Sequence, residues 1–385
     1  MIPDRAQFRG APRFAAAVAS EFAAPLLRAY ASARARGPAT TPQEWRRGLI
    51  LGSGHIGDVL YRTCSLEQLA RGLPDCRWSY LTTSEGAEIL KGNPAIWEVL
   101  PLNRTAAIDF VQPHSSDDLR ACNFDVALCT DSIKPYQALS LAAKVGISNR
   151  VAFVQKGFSG LATIGIRASR ASWPAQIRTM VNAVIGTTET SELRPRVYLT
   201  DDDRREARRE WESVAHGGAA LTIAASVISR QELGVFPASL FEAVLRSVLE
   251  QRPDARIVLT GSSGDESRLR AIASALGVRA VVRAGTVSLR GFAGFLALCD
   301  AFVGADSGPR HVANAVGIPA YFVRNLAVPE IEAGRYCDTE IDVAPPGQYL
   351  SNSAALRRLE AVDHRAVATA IITAAIRHNM NSRHG

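Results

Sequence analysis

The sequence predicts an α/β chain made of two parallel-sheet halves in series, behind an amino-terminal helical segment. Three observations predict it. From residue 48, short apolar runs alternate with helical segments; a charged stretch interrupts at 200–218; a second alternating series follows. Strands that alternate with helices imply βαβ units, and runs that are apolar at nearly every residue imply sheets covered on both faces. The 385 residues suit two domains, at roughly 100–200 residues each. The expected divisions are a helical extension over 1–47, a first half over 48–200, a charged connecting helix over 201–218, a second half over 219–350, and a C-terminal helix and tail over 351–385.

The extension APRFAAAVASEFAAPLLRAYASARARG is rich in Ala, Leu and Arg, all good helix formers. Phe14, Val18, Phe22 and Leu26 recur at i, i+4 spacing and mark one apolar face. That face either packs on the body or meets a membrane or partner, and Arg46-Arg47 behind Trp45 favours an interface. Gly37 and Pro38 end the helix. Then RGLILGS reads as a buried strand, 57–72 as a helix, RWSYLTT as a strand, SEGAEILKG as a short helix and WEVLPLN as a strand. Residues 115–122 read as a helix, FDVALCT as a strand, QALSLAAKVG as a helix stopped by Gly, NRVAFV as a strand and 171–186 as a helix. In TDDDRREARREWESVAHGG, Thr200 is a plausible N-cap, and the acids of the first turn suit the helix dipole. The second series runs LTIAAS, PASLFEAVLRSVLEQ, ARIVLTG, DESRLRAIASALG, VRAVVRAG, SLRGFAGFLALCD, AFVGAD, PRHVANAVG and IPAYFV, strand and helix in turn, with an Ala-rich helix over 353–377.

Composition excludes several classes. Hydrophobic residues are 47% and charged residues 21%, ordinary for a globular chain. Cys64, Cys76, Cys122, Cys129, Cys299 and Cys337 are scattered without a CxxC pair, so reduced thiols in a cytoplasmic protein are expected, with no metal site. The net charge is +7, from 44 Lys+Arg against 37 Asp+Glu. That mild excess suits an anionic substrate or an anionic membrane surface. Nucleic acid is not expected, because no basic motif interleaved with aromatics stands out. No run reaches the roughly 18 apolar residues of a membrane span. Residues 11–36 are broken by Arg13, Glu21 and Arg28, with Asp4 ahead, so they read as a helix and not a signal peptide.

Three strand–loop–helix junctions carry candidate chemistry. In GSGHIGDVL, Gly52, Gly54 and Gly57 let backbone approach a ligand, and Asp58 at the helix start is either a cap or a general base. In AFVGADSGPRHVANAVGIP, a strand ends near Gly304, and Asp306, Ser307 and Gly308 open a helix whose N–H groups suit a phosphate. Asp306 there binds sugar hydroxyls or caps the helix. His311 lies one turn in and either reaches the pocket or simply packs. In LTGSSGDESRL, Gly261, Ser262 and Ser263 contact a nucleotide or form a structural turn. Ligands on such sheets sit at the strands' carboxyl ends, so the expected site is a central cleft between two Rossmann-like halves.

Together these segments resemble the bacterial heptosyltransferases of glycosyltransferase family 9, which have the GT-B fold. The likeness covers roughly 48–375 and rests most firmly on GDVL and ADSGPRHVANAVGIP. The resemblance implies that Asp58 deprotonates the acceptor hydroxyl, that Gly54, His55 and Gly57 form the acceptor-side loop, and that Asp306, Ser307, Gly308 and His311 hold the donor sugar nucleotide. It implies an ADP-activated heptose as donor, the lipopolysaccharide inner core as acceptor, no cofactor or metal, and peripheral contact with the inner membrane surface. Departures are also visible. The family's phosphate-contacting Lys falls near Gly234, leaving Arg230 as the nearest cation, and RNLAVPEIEAGRYCD replaces a Gly-Pro-rich loop. Direct displacement with inversion needs one base and cations for the leaving diphosphate. A sugar-nucleotide epimerase would need acid/base groups on both sides of the sugar, where Asp58 and His311 are the candidates. A non-catalytic sugar-nucleotide-binding module would have little use for both motifs. A dinucleotide oxidoreductase would need a ribose-binding acid about 20 residues past the glycines, where Asp75 lies in a Pro-containing loop.

Overall fold

The structure is a computed structural model that describes residues 3, 11–52, 54–101, 116–130, 135–168, 171–214, 219–228, 237–326, 330–347 and 351–382. The chain divides into two compact units, Met1–Leu193 and Arg194–Gly385.

Unit 1 runs α1 (Ala11–Phe22), α2 (Ala24–Arg34), β1 (Arg47–Leu51), α3 (Ile56–Thr63), α4 (Leu66–Gly72), β2 (Arg77–Thr82), α5 (Ser84–Leu90), β3 (Glu98–Pro101), α6 (Ser116–Ala121), β4 (Val126–Cys129), α7 (Pro135–Lys144), β5 (Asn149–Phe153), β6 (Ile164–Ile166) and α8 (Trp173–Ile185). Its six strands pair in parallel in the order β3-β2-β1-β4-β5-β6. β1 pairs Leu49 with Ser79 on one side and with Ala127 on the other. Leu49, Leu51, Ala127 and Cys129 meet Leu139, Ala142 and Ala143 of α7 in a buried layer. Apolar burial of this kind is the main drive for the fold.

Unit 2 runs α9 (Asp201–Val214), β7 (Leu221–Ser226), α10 (Ala238–Gln251), β8 (Ala255–Gly261), α11 (Glu266–Leu276), β9 (Ala280–Ala284), α12 (Leu289–Leu296), β10 (Ala301–Ala305), α13 (Gly308–Val316), β11 (Ala320–Val323), α14 (Glu330–Ala333), β12 (Glu340–Asp342), α15 (Asn352–Glu360) and α16 (His364–Ser382). Its parallel sheet has the order β12-β11-β10-β7-β8-β9. Counted from each unit's first strand, both sheets read 3-2-1-4-5-6. The order reverses between β1 and β4 in unit 1 and between β7 and β10 in unit 2. Such a switch point opens a crevice at the strands' carboxyl ends.

Three expectations need correction. The charged segment expected as a connector belongs to unit 2, where its described part, 201–214, forms α9. The boundary falls after Leu193, ahead of it, and α9 packs on α12 inside unit 2. Asp203 of α9 pairs with the buried Arg290 at 2.6 Å, and Glu206 accepts from the Ser288 hydroxyl at 2.6 Å. Burial opposes the Asp203 charge, but hydrogen bonds from Arg290 and Thr200 outweigh it and hold the carboxyl down at about 2. The C-terminal segment likewise packs in unit 2, α16 against α10.

The second correction concerns continuity. The helix expected over 57–72 breaks at Cys64–Ser65, and the one over 353–377 breaks between Glu360 and His364. The third concerns the extension, which is two helices divided at Ala23, with Pro25 in the first turn of α2. A Pro ring supplies no N–H to a preceding turn. The packed face is made of Ala17, Ser20 and Ala31, while Phe22 and Leu26 point to solvent. Gly157 and Gly160 receive that small-residue face. A Cβ on Gly157 would lie 2.8 Å from the Ala17 carbonyl oxygen, and one on Gly160 would lie 2.7 Å from Ala24 Cα. Ser159 donates to the Glu21 carboxylate from its N–H at 2.8 Å and its hydroxyl at 2.6 Å.

Candidate active site

At the switch point of unit 1, β1 ends at Leu51 and the chain turns through Gly52 and Gly54 into α3. The His55 carbonyl accepts from Val59 N–H at 2.9 Å and starts the helix; its side chain is exposed. Gly57 and Asp58 follow in the first turn, where the helix dipole favours a carboxylate. Asp58 is half-buried. Gly54 is demanded by packing, since a Cβ there would strike Thr83 Cγ2, and the Thr83 hydroxyl donates to the Gly54 carbonyl at 2.8 Å.

Arg62, one turn after Asp58, is a site residue that the sequence reading missed. It is 1% exposed. Its Nε donates to Thr130 Oγ1 at 2.8 Å and its NH1 to the Asp58 carbonyl at 2.6 Å. The Thr130 hydroxyl donates in turn to the Leu51 carbonyl at 2.8 Å. Gly52 makes room for this guanidinium, because a Cβ there would lie 2.6 Å from Arg62 Nε. Tyr80 of β2 lies beneath, fully buried, and burial pushes its phenol up to about 12 despite the Arg62 charge. One buried cation thus ties β1, β4 and the first turn of α3 together.

At the switch point of unit 2, β10 pairs Gly304 with Ser226 of β7. Ser307 is the N-cap of α13 in extended conformation, with no side-chain capping bond, and its hydroxyl leans back to the Ala305 carbonyl at 3.3 Å. Pro309 follows Gly308 in the first turn. The structure therefore brings Asp306, Ser307, Gly308 and His311 together at this strand end. Gly261 and Ser262 lie at the carboxyl end of β8, on the far side of β7 from β10. Ser262 donates its N–H and hydroxyl to Asp265, at 2.9 and 2.6 Å, in a capping box, which is the turn reading of that loop. Arg230 lies outside the described residues.

The surroundings of Asp306 and His311 were not foreseen. Asp306 accepts from Arg310 NH1 at 2.6 Å, and Arg310, 1% exposed, reaches the buried Glu340 of β12 at 2.5 Å and the Gly334 carbonyl at 2.8 Å. Its guanidinium lies 3.3 Å from the Phe322 ring centroid. Burial alone would lower the Arg310 pKa, but the Glu340 and Asp306 charges overcome it and raise it. Asp306 is thus held by a cation and is not the helix cap. His311 Nδ1 lies 2.8 Å from the Tyr336 hydroxyl, with the rings stacked 5.8 Å apart. Burial, and then the Arg310 charge, push its imidazolium down to about 3. His311 is therefore neutral near pH 7. Tyr336 also donates its N–H to Glu340 at 3.0 Å, so the segment that departs from the family pattern braces α13.

Among the described residues, no group of three or more His, Cys, Asp or Glu side chains converges as a metal site. No described helix is long and apolar enough to cross a membrane.

A search of curated protein sequences found no match. Among solved structures, the chain is similar to a family 9 glycosyl transferase from Veillonella parvula, at 18% identity over 89% of this chain and 99% of that one, with a TM-score of 0.71. It is similar to E. coli ADP-heptose lps heptosyltransferase II at 14% identity, over 86% and 99%, with a TM-score of 0.67. It is similar also to E. coli heptosyltransferase WaaC, solved with ADP-2-deoxy-2-fluoro heptose, at 16% identity, over 82% and 99%, with a TM-score of 0.55. These likenesses show the GT-B fold. The model of glycosyltransferase family 9 (heptosyltransferase) matches residues 115–321, more than half of the 385. The chain belongs to that family and is a glycosyltransferase.

Proposed function

We propose that the chain moves a heptose from an ADP-activated donor to an acceptor hydroxyl, with inversion at the anomeric carbon. The observation that carries the reading is the placement of two features at equivalent switch points: a half-buried carboxylate, Asp58, in unit 1, and a helix start without a side-chain cap, Ser307–Gly308, in unit 2. Unit 1 then serves the acceptor and unit 2 the donor. Asp58 accepts the proton of the acceptor hydroxyl as its oxygen attacks the anomeric carbon. The bond to the diphosphate oxygen breaks, and the leaving diphosphate lies over the start of α13, where N–H groups and the dipole stabilise its charge. Asp306, held by Arg310, accepts from donor sugar hydroxyls. His311, neutral and oriented by Tyr336, gives one fixed hydrogen bond. Arg230 supplies a forked cation to the phosphates, and Gly261 and Ser262 border the nucleotide.

ADP-heptose is favoured because the similar WaaC structure holds an ADP-heptose analogue. The reaction uses no metal in this reading. Its compartment is the cytoplasm, at the inner membrane surface, as the scattered thiols and the extension suggest. The test is ADP release from ADP-heptose, with the product mass read by mass spectrometry. Release that requires an acceptor, together with an acceptor gaining one heptose, supports transfer. Release of ADP with no acceptor product, or interconversion of the sugar, overturns it.

A further inference from the structure

Helices α1 and α2, joined in a kink at Ala23, turn a small-residue face to the body and an apolar stripe to solvent. Small residues, Ala17, Ser20 and Ala31, pack against unit 1, while Phe22 is 84% exposed, Leu26 75% and Tyr30 40%. Single exposed apolar residues are common. These three recur every fourth residue, and Arg34 continues the spacing with its guanidinium 4.0 Å from the Tyr30 ring centroid. Helical bonds run on through the kink, Ala23 N–H to the Ala19 carbonyl at 3.0 Å and Leu27 N–H to the Ala23 carbonyl at 2.9 Å, so equal spacing at four residues keeps these side chains on neighbouring positions of one face. The stripe thus presents two bulky apolar side chains, an amphipathic phenol and a cation stacked on it.

Charge says what the stripe suits. Residues 11–36 carry Arg13, Arg28, Arg34 and Arg36 against one acid, Glu21. That acid is turned inward, with both oxygens taken by Ser159. The solvent side of the kinked helix is therefore cationic as well as apolar. A helix that exposes Phe, Leu and Tyr beside arginines lies in the boundary between lipid headgroups and acyl chains, and its cations are drawn to anionic lipid.

We infer that the kinked α1–α2 helix docks the protein on an anionic lipid surface through Phe22, Leu26, Tyr30 and Arg34. The inference deepens the peripheral membrane contact proposed above and gives it a defined surface. A rigid dock suits that task. The kinked helix is bonded to the rest of unit 1 through Ser20 and Glu21, and just past its end Arg36 donates its N–H to the Gly146 carbonyl at 3.2 Å.

The test is co-sedimentation of the full chain with vesicles of phosphatidylcholine mixed with phosphatidylglycerol, and with vesicles of phosphatidylcholine alone. The wild type should partition onto the mixed vesicles and weakly onto the neutral ones. The double variant Phe22→Ser/Leu26→Ser should lose partition by about tenfold or more, given the apolar area withheld from lipid. Arg28→Glu/Arg34→Glu should lose binding to the mixed vesicles only. Both variants should keep the wild-type unfolding temperature, because the altered side chains are exposed. Wild-type protein that stays in the supernatant, or a Phe22→Ser/Leu26→Ser protein that binds as before, overturns the inference. So does self-association that the same double variant abolishes without any vesicle binding, since the stripe would then belong to a second copy. Vesicle partition and ADP release from ADP-heptose are read separately, so failure of the docking surface is distinguishable from failure of the transferase reading.

Discussion

Arg62 reaches Thr130 from one side of the first switch point and the Asp58 carbonyl from the other, at 2.8 and 2.6 Å. The turn that presents Asp58 is therefore fastened to β4 from beneath. Arg62→Met should lower kcat by about 10–100-fold, because small misplacements of a reacting group are costly. The KM for the donor should not change, since the donor is assigned to unit 2. Arg62→Lys should recover part of the loss. Steady-state kinetics on folded protein check this, and an unchanged kcat in Arg62→Met would remove the positioning role.

Asp58→Asn keeps the shape of the side chain and removes its basicity. Turnover should fall by about 10²–10⁴, with donor affinity unaltered by calorimetric titration of ADP. Wild-type turnover in the folded variant would take Asp58 out of the mechanism.

His311 should not titrate near neutrality. Its pKa is lowered from an ordinary 6.5 to about 3. Below pH 6.5 the unfolded chain binds a proton that the fold refuses. The stability from keeping this ring neutral is therefore complete above pH 6.5 and is lost as pH falls toward 3. Between pH 7 and 5 the loss should be about 1–2 kcal/mol, and His311→Gln should reduce it. Urea unfolding at the two pH values measures both, and an imidazole resonance titrating near 6.5 in the folded protein would contradict the assignment.

Glu340 and Arg310 form a buried pair whose halves depend on each other. Glu340→Gln leaves the guanidinium buried with Asp306 as its carboxylate, and should destabilise unit 2 by about 3–5 kcal/mol. A fall in Tm of roughly 10 °C is the expected readout. The apolar pair Arg310→Met/Glu340→Leu should recover much of that stability while weakening donor binding, because Asp306 loses its partner. Equal donor affinity in the double variant would make the network purely structural.

Removing residues 1–35 should leave nucleotide binding in unit 2 unchanged. It should also lower the unfolding temperature of unit 1, since Ala31 and Leu27 belong to its core and the Ser20 and Glu21 bonds are lost. Differential scanning calorimetry with and without ADP separates the two effects. A truncated chain as stable as the intact one would contradict the packing described for α1 and α2.

The long apolar runs were legible. LTIAAS and ARIVLTG can be buried only as covered strands, and they form β7 and β8. β6 was missed because three residues around Gly165 carry no periodicity. β12 was missed for a different reason: it carries two acids in three residues, Glu340 and Asp342, which enter the sheet because the buried Arg310 and Arg324 pair with them. The stripe at Phe22 and Leu26 left two orientations open in the sequence, and the structure exposes it. Helical spacing reports that side chains share a face and says nothing of which face meets the body, and here close approach at Gly157 and Gly160 selected the small one. In the site, the motif residues were readable because they are contiguous. Tyr336 and Glu340 were not, since 25 and 30 residues separate them from His311 and Arg310.

The strand order also sets a timetable. β1 leaves the ribosome early, yet it completes its pairing only when β4 emerges, so the Arg62–Thr130 bond cannot form before residue 130 is made. Unit 1 ends at Leu193, and the 192 residues of Arg194–Gly385 remain to be translated. At about 5–20 residues per second, that gives unit 1 roughly 10–40 s to close before the second sheet is complete. Two sheets of identical order, each rich in unpaired parallel edges while incomplete, are thereby kept apart in time, which limits strand exchange between them during synthesis.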